Sequence, residues 1–120
     1  MIKNDTHFVD IDGTLIKYRN FDEITAVEAV PIQTVIDKIN IEYDNGSHIV
    51  ITSARPEKMR KFTVDELKKL NIKYHQLVLG IGRGVRYLVN DNDPEFPEVS
   101  RAVGVNLKRD NGFTTKNDSL

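Results

Sequence analysis

The sequence predicts an α/β protein built on a mainly parallel sheet with helices packed on both faces. Two observations carry this. Short, nearly continuous apolar runs alternate with stretches of helical periodicity, as buried parallel strands and their crossovers do. Polar, chemistry-bearing residues stand directly after those runs, at the strand ends where ligands of such sheets bind.

The first run is Phe8-Val9-Asp10-Ile11, a strand leading into Asp12-Gly13-Thr14-Leu15. Residues 16–30 mix apolar and charged positions and read as an irregular excursion or small hairpin. Pro31 suits a first helical turn, and Ile32, Val35, Ile36 and Ile39 follow at helical spacing until Asp44-Asn45-Gly46 supplies stop chemistry. His48-Ile49-Val50-Ile51-Thr52 is the second strand. Pro56 stands at or near the start of a helix carrying Met59, Phe62, Leu67 and Leu70, which stops near Asn71. Gln76-Leu77-Val78-Leu79 is the third strand, ended by Gly80-Ile81-Gly82-Arg83-Gly84. Tyr87-Leu88-Val89 is expected as a fourth, ended by Asn90-Asp91-Asn92-Asp93-Pro94, and Ala102-Val103-Gly104-Val105 as a short fifth. Residues 1–107 form the expected single core domain, and 108–120 a polar tail with little to bury.

Composition excludes several classes. The chain of 120 residues has no cysteine, which removes thiol catalysis, zinc–thiolate sites and disulfides and suits a cytoplasmic protein. A net charge of −1 gives no basic field for nucleic acid. No apolar run approaches the ~20 residues that span a bilayer, and Met1-Ile2-Lys3-Asn4-Asp5 has no signal-peptide apolar region.

Asp10 and Asp12 are the most telling pair. Two carboxylates beside one strand end raise each other's pKa, a cost that a hard, oxygen-bound cation such as Mg²⁺ relieves. Gly13 lets the backbone turn sharply beside a ligand. The plain alternative is a strand-end turn with capping aspartates. Thr52 ends the second strand, with Ser53 and Ala54 expected to offer backbone N–H groups at a helix N-terminus, a ready anion site; a simple N-cap is the alternative. Arg55 stands close enough to contact substrate. His7, His48 and His75 sit near strand starts and read as structural.

Asp10-Ile11-Asp12-Gly13-Thr14 resembles the first motif of the haloacid dehalogenase-like superfamily, and Thr52 after Ile49-Val50-Ile51 resembles its second. The resemblance runs in order and spacing to about Leu107. It implies a Rossmann-like three-layer sandwich and a Mg²⁺-dependent phosphatase. In that reading Asp10 is the nucleophile that forms an aspartyl-phosphate, and Asp12 is the general acid and base. Gly13, Thr14, Ser53, Ala54 and Arg55 line the substrate. Asp10 and Asp12 hold the metal with Asp91 and Asn90, or with Asp93 if the register slips. Members of the superfamily place a lysine after the third strand. No lysine lies between Lys73 and Lys108, so Arg83 is expected to clamp the phosphate with Thr52, with Arg86 in reserve. Neither residues 16–30 nor the stretch from Thr52 to Arg83 is long enough for a cap domain. A capless member would have an open site and act on a small phosphate ester, such as a phosphorylated sugar or nucleotide, and a homo-oligomer is among the expectations. Two other readings stand beside this one. The first is a non-catalytic domain of the same fold that binds a phosphorylated ligand. The second is a receiver-type phosphoacceptor, disfavoured because the third strand ends without an aspartate.

Overall fold

The structure, a computed structural model, describes residues 4–114. Its strands are β1 (Thr6–Asp10), β2 (His48–Thr52) and β3 (Gln76–Val78), parallel and in the order β1-β2-β3. A short helix, α1 (Phe21–Ile24), interrupts the excursion after β1. Helix α2 (Gln33–Asp44) joins β1 to β2. A 3₁₀ turn (Glu57–Met59) leads into α3 (Arg60–Lys69), which joins β2 to β3. Asn71, at positive φ, ends the second crossover, and Gly46 ends the first.

The strand order decides where the core lies. Crossovers between parallel strands are right-handed, so two successive steps in one direction put both helices on the same face. That face carries Val9, Ile11, Ile49 and Ile51, all buried, against Val35, Ile36 and Ile39 of α2 and Leu67 of α3. The opposite, outer face is defined by the register partners Phe8 and Val50, Asp10 and Thr52, and Thr52 and Val78. Val50, on the central strand, is buried. Phe8 and Val78, on the flanking strands, are 58% and 41% exposed.

The described residues thus form an open α/β sheet of three parallel strands, a Rossmann-like arrangement with one helical layer. The expected strands at Tyr87–Val89 and Ala102–Val105 are not formed; both stretches are coil with exposed side chains. Apolar composition alone suggested them, but strand formation also needs a neighbour to pair with, and these runs have none among the described residues. Beyond them the chain departs from expectation in the other direction. Phe113 is buried in the core, and its N–H donates to Thr34 Oγ1 at 3.2 Å. Gly112 makes this approach possible: its φ is +61°, and a Cβ there would fall 2.7 Å from Ile32 Cγ2. Residues 115–120 of the expected tail lie outside the described residues. Among the described residues, no helix is long and apolar enough to cross a membrane.

Candidate functional site

Asp10 and Thr52 are register partners at the carboxyl ends of β1 and β2, so their side chains stand side by side on the outer face. Thr14 Oγ1 donates to Asp10 Oδ2 at 3.3 Å, closing the turn that follows β1. In that turn the N–H groups of Thr14, Leu15 and Ile16 all donate to the Ile11 carbonyl, and the N–H of Gly13 donates to Ile16 O. Gly13 has φ +90°, and Arg109 Cγ would lie 3.2 Å from a Cβ added there. Burial raises the Asp10 carboxyl above its ordinary pKa. The Arg86 guanidinium, at 3.6 Å, pulls it back, and the charge of Asp12 pushes it further up.

Asp12 is held from the other side. Arg55 Nε donates to Asp12 Oδ2 at 3.0 Å and Nη2 to Oδ1 at 2.8 Å, a bidentate fork that fixes the carboxylate plane. Arg55 is itself buried. Its Nη1 donates to Thr63 Oγ1 at 3.1 Å, and its Nη2 lies 3.0 Å from Glu66 Oε1. Glu66 also receives both oxygens' worth of bonds from Arg19 Nη2, each at 2.9 Å. Arg19 caps the excursion by donating from Nη1 to the carbonyls of Ile24 and Val27, while its Nε is buried without a partner. The chain Arg19–Glu66–Arg55–Asp12 therefore ties the excursion, α3 and the β1 end into one network. Burial works to lower the Arg55 pKa. The Asp12 bond and charge, together with Glu66, outweigh it and raise the value above the ordinary one.

Several expected residues are placed differently from the sequence reading. Ser53 and Ala54 precede no helix N-terminus, because Pro56 intervenes and the 3₁₀ turn begins only at Glu57. The Ser53 N–H is spent on Val78 O at 2.9 Å, and its hydroxyl accepts the Arg55 N–H at 3.0 Å. The Ala54 N–H and the Thr52 hydroxyl have no hydrogen-bond partner among the described residues. Arg55 faces carboxylates rather than the outside. Arg83 is exposed and makes no ion pair among the described residues; Arg86, the reserve, is the arginine at Asp10. Asn90 and Asp91 are not gathered at the β1 end. Asn90 Nδ2 donates to Arg101 O at 3.1 Å, and Asp91 Oδ1 pairs with Arg101 Nη1 at 3.3 Å. Asp93 accepts the Glu95 N–H at 2.9 Å, in a local turn. These bonds form within residues 90–102 because no strand at 87–89 carries the loop to β1.

The sequence reading passed over Glu66 and took the segment after Lys108 for a polar tail with little to bury. Tyr18 N–H donates to Asp110 Oδ1 at 2.6 Å, Asp110 N–H to Gly13 O at 2.9 Å, and Arg109 stacks on the Tyr18 ring at 4.0 Å. No local pattern announces partners this far apart in the chain. At the opposite end of β1, Asp5, His7 and Glu42 each offer a ligand atom, all within 4.8 Å of one another. There His7 Nε2 lies 3.1 Å from Glu42 Oε1, which also accepts the Ser47 hydroxyl. His75 is structural as expected: its Nδ1 accepts the Ile49 N–H, and its ring stacks on Tyr43 and His48.

No protein-family model matches the chain, and no curated protein matches it. Two solved structures share its fold. One is a protein from Vibrio cholerae, 21% identical, with a TM-score of 0.52 over 80% of this chain and 89% of that one. The other is a chain of a Pnkp1/Rnl/Hen1 complex, 20% identical, with a TM-score of 0.58 over 81% of this chain. The protein spans 33% of the length of that second chain. At these identities the likeness concerns the fold.

Proposed function

We propose that the protein is a Mg²⁺-dependent phosphatase of the haloacid dehalogenase-like type, in a form without a cap domain. The observation that carries the reading is the pairing at the strand ends. Asp10 stands beside Thr52 on one face, with Arg86 within 3.6 Å, and a buried arginine fork holds Asp12 two residues on.

The Asp10 carboxylate attacks phosphorus, and the bond to the leaving oxygen breaks as Asp12 gives that oxygen a proton. Asp12 then takes a proton from water as the water attacks the aspartyl-phosphate, which regenerates Asp10 and releases phosphate. Proton transfer of this kind contributes roughly 10²–10⁴-fold. The Thr52 hydroxyl, the Ala54 N–H and the Arg86 guanidinium supply donors for the phosphate oxygens. Arg55 orients Asp12, so handing over a proton requires Asp12 to take one oxygen off the fork. The residues suit a hard cation: an oxygen-only set in which burial and a like charge hold the Asp10 carboxyl above its ordinary pKa. Asp10 would hold Mg²⁺ with the Asp12 carbonyl, and the ion's chemistry there is to cancel repulsion between the carboxylate and an anionic phosphate.

The pairing of Asp91 with Arg101 favours one further reading, a domain of this fold that binds a phosphorylated ligand without cleaving it. The two separate on phosphate release from an aryl phosphate with and without Mg²⁺. An enzyme turns over and loses Mg²⁺-dependent release in Asp10→Asn with its fold intact, whereas a binding domain shows no release in either form.

A further inference from the structure

Residues 83–106 hold a concentration of exposed apolar side chains. Tyr87 and Val89 are 85% and 93% exposed, and Val85, Leu88, Phe96, Val99, Val103 and Val105 are exposed too. So many exposed large apolar side chains in one segment point to an interaction site. Both ends of the stretch are anchored. Before it, the N–H groups of Gly80 and Ile81 donate to Arg55 O and Ser53 O. After it, Asp110 bonds Gly13 and Phe113 enters the core. The stretch is a closed flap, longer than connections in compact domains usually run. It fits the molecule's dimensions: the radius of gyration is 15.0 Å and the long axis 51 Å, where a chain of this length packs to about 14 Å.

The same chain carries the surface such a flap lacks. The outer edge of β1 has no strand partner among the described residues, and Phe8 and Val78 stand exposed on the outer face. The flap's charges are mixed: Arg83, Arg86 and Arg101 against Asp91, Asp93, Glu95 and Glu98. That balance lacks the basic excess that a nucleic acid or an anionic membrane selects and suits a protein surface.

We propose that residues 83–106 are an intersubunit flap. The apolar side chains of one copy lie over the outer sheet face and the free β1 edge of a second copy, and the second copy does the same in return. Such an exchange is isologous and closes as a two-fold dimer. Eight exposed apolar side chains in each copy are available to an interface to which each partner gives ~800 Å². Because Arg86 roots the flap beside Asp10, the interface borders the candidate site.

Sedimentation equilibrium of the full chain across the micromolar range tests this. The expected mass is twice 13.7 kDa. Two variants are expected to sediment as monomers with unchanged far-ultraviolet circular dichroism: the flap double variant Tyr87→Lys with Val89→Glu, and separately Phe8→Lys at its exposed position on the face. A wild-type monomer throughout the range overturns the proposal. Limited proteolysis would then show whether the flap closes on its own sheet, where it resists cleavage. A dimer that persists in both variants also overturns it.

Discussion

The two halves of the expected site differ sharply. Around the ends of β1 and β2, Asp10, Asp12 and Thr52 are set by strand register, a tight turn and a buried ion network. Past β3, Arg83, Asn90 and Asp91 lie in exposed chain and bond only locally or not at all. The difference lies in what fixes each group. Asp10 and Thr52 inherit their positions from a ladder whose helix-side face carries Val9 and Ile51, both buried in the core. Asn90 and Asp91 would inherit theirs from a strand at 87–89, and that strand has no partner within the described residues.

The largest effect is expected in the packed half. Arg55→Ala leaves Asp12 and Glu66 without their shared cation in a buried setting, where breaking such a pair costs about 3–5 kcal/mol. Urea unfolding measures it, and a loss under 1 kcal/mol would mean that the network does not hold the β1 end. The next effect separates the two arginines. Arg86→Ala is expected to lower kcat/KM by about 10²-fold, the scale of one lost anion donor. Arg83→Ala should leave it within about twofold. Steady-state kinetics on an aryl phosphate decide between them, and the reverse order would return the phosphate clamp to Arg83.

Legibility in the sequence divides along the same line. Asp10 through Thr14 could be read because a strand and its following turn are local, and the stripe of Val35, Ile36 and Ile39 announced its helix. The pairing of Arg19 with Glu66 could not be read, since it depends on how the excursion folds onto α3. Ser53 was read as part of a helix start, but Pro56 delays the helix and Val78 O takes the N–H. Tyr87–Val89 was read from apolar composition, which shows what a residue buries but not what it pairs with.

A smaller effect concerns pH. The folded protein holds the Asp10 carboxyl above its ordinary pKa, so it binds this proton more tightly than the unfolded chain does. The resulting stability is fully present below the unfolded value of about 3.9 and is lost as pH rises through the folded value. Asp10→Asn removes that loss. Thermal melts are expected to show the variant more stable than wild type at neutral pH, with the gain gone in strong acid. A gain that grows on acidification would reverse the sign. The smallest effect is in the exposed half: Arg83→Ala should change unfolding stability by no more than about 0.5 kcal/mol.

The most direct test is phosphate release from an aryl phosphate by purified wild type and Asp10→Asn, each with Mg²⁺ and with EDTA. Turnover in wild type with Mg²⁺ alone, abolished in a folded Asp10→Asn, is the expected result. Undiminished release by Asp10→Asn, or none by wild type, would contradict a phosphatase whose nucleophile stands at the end of β1.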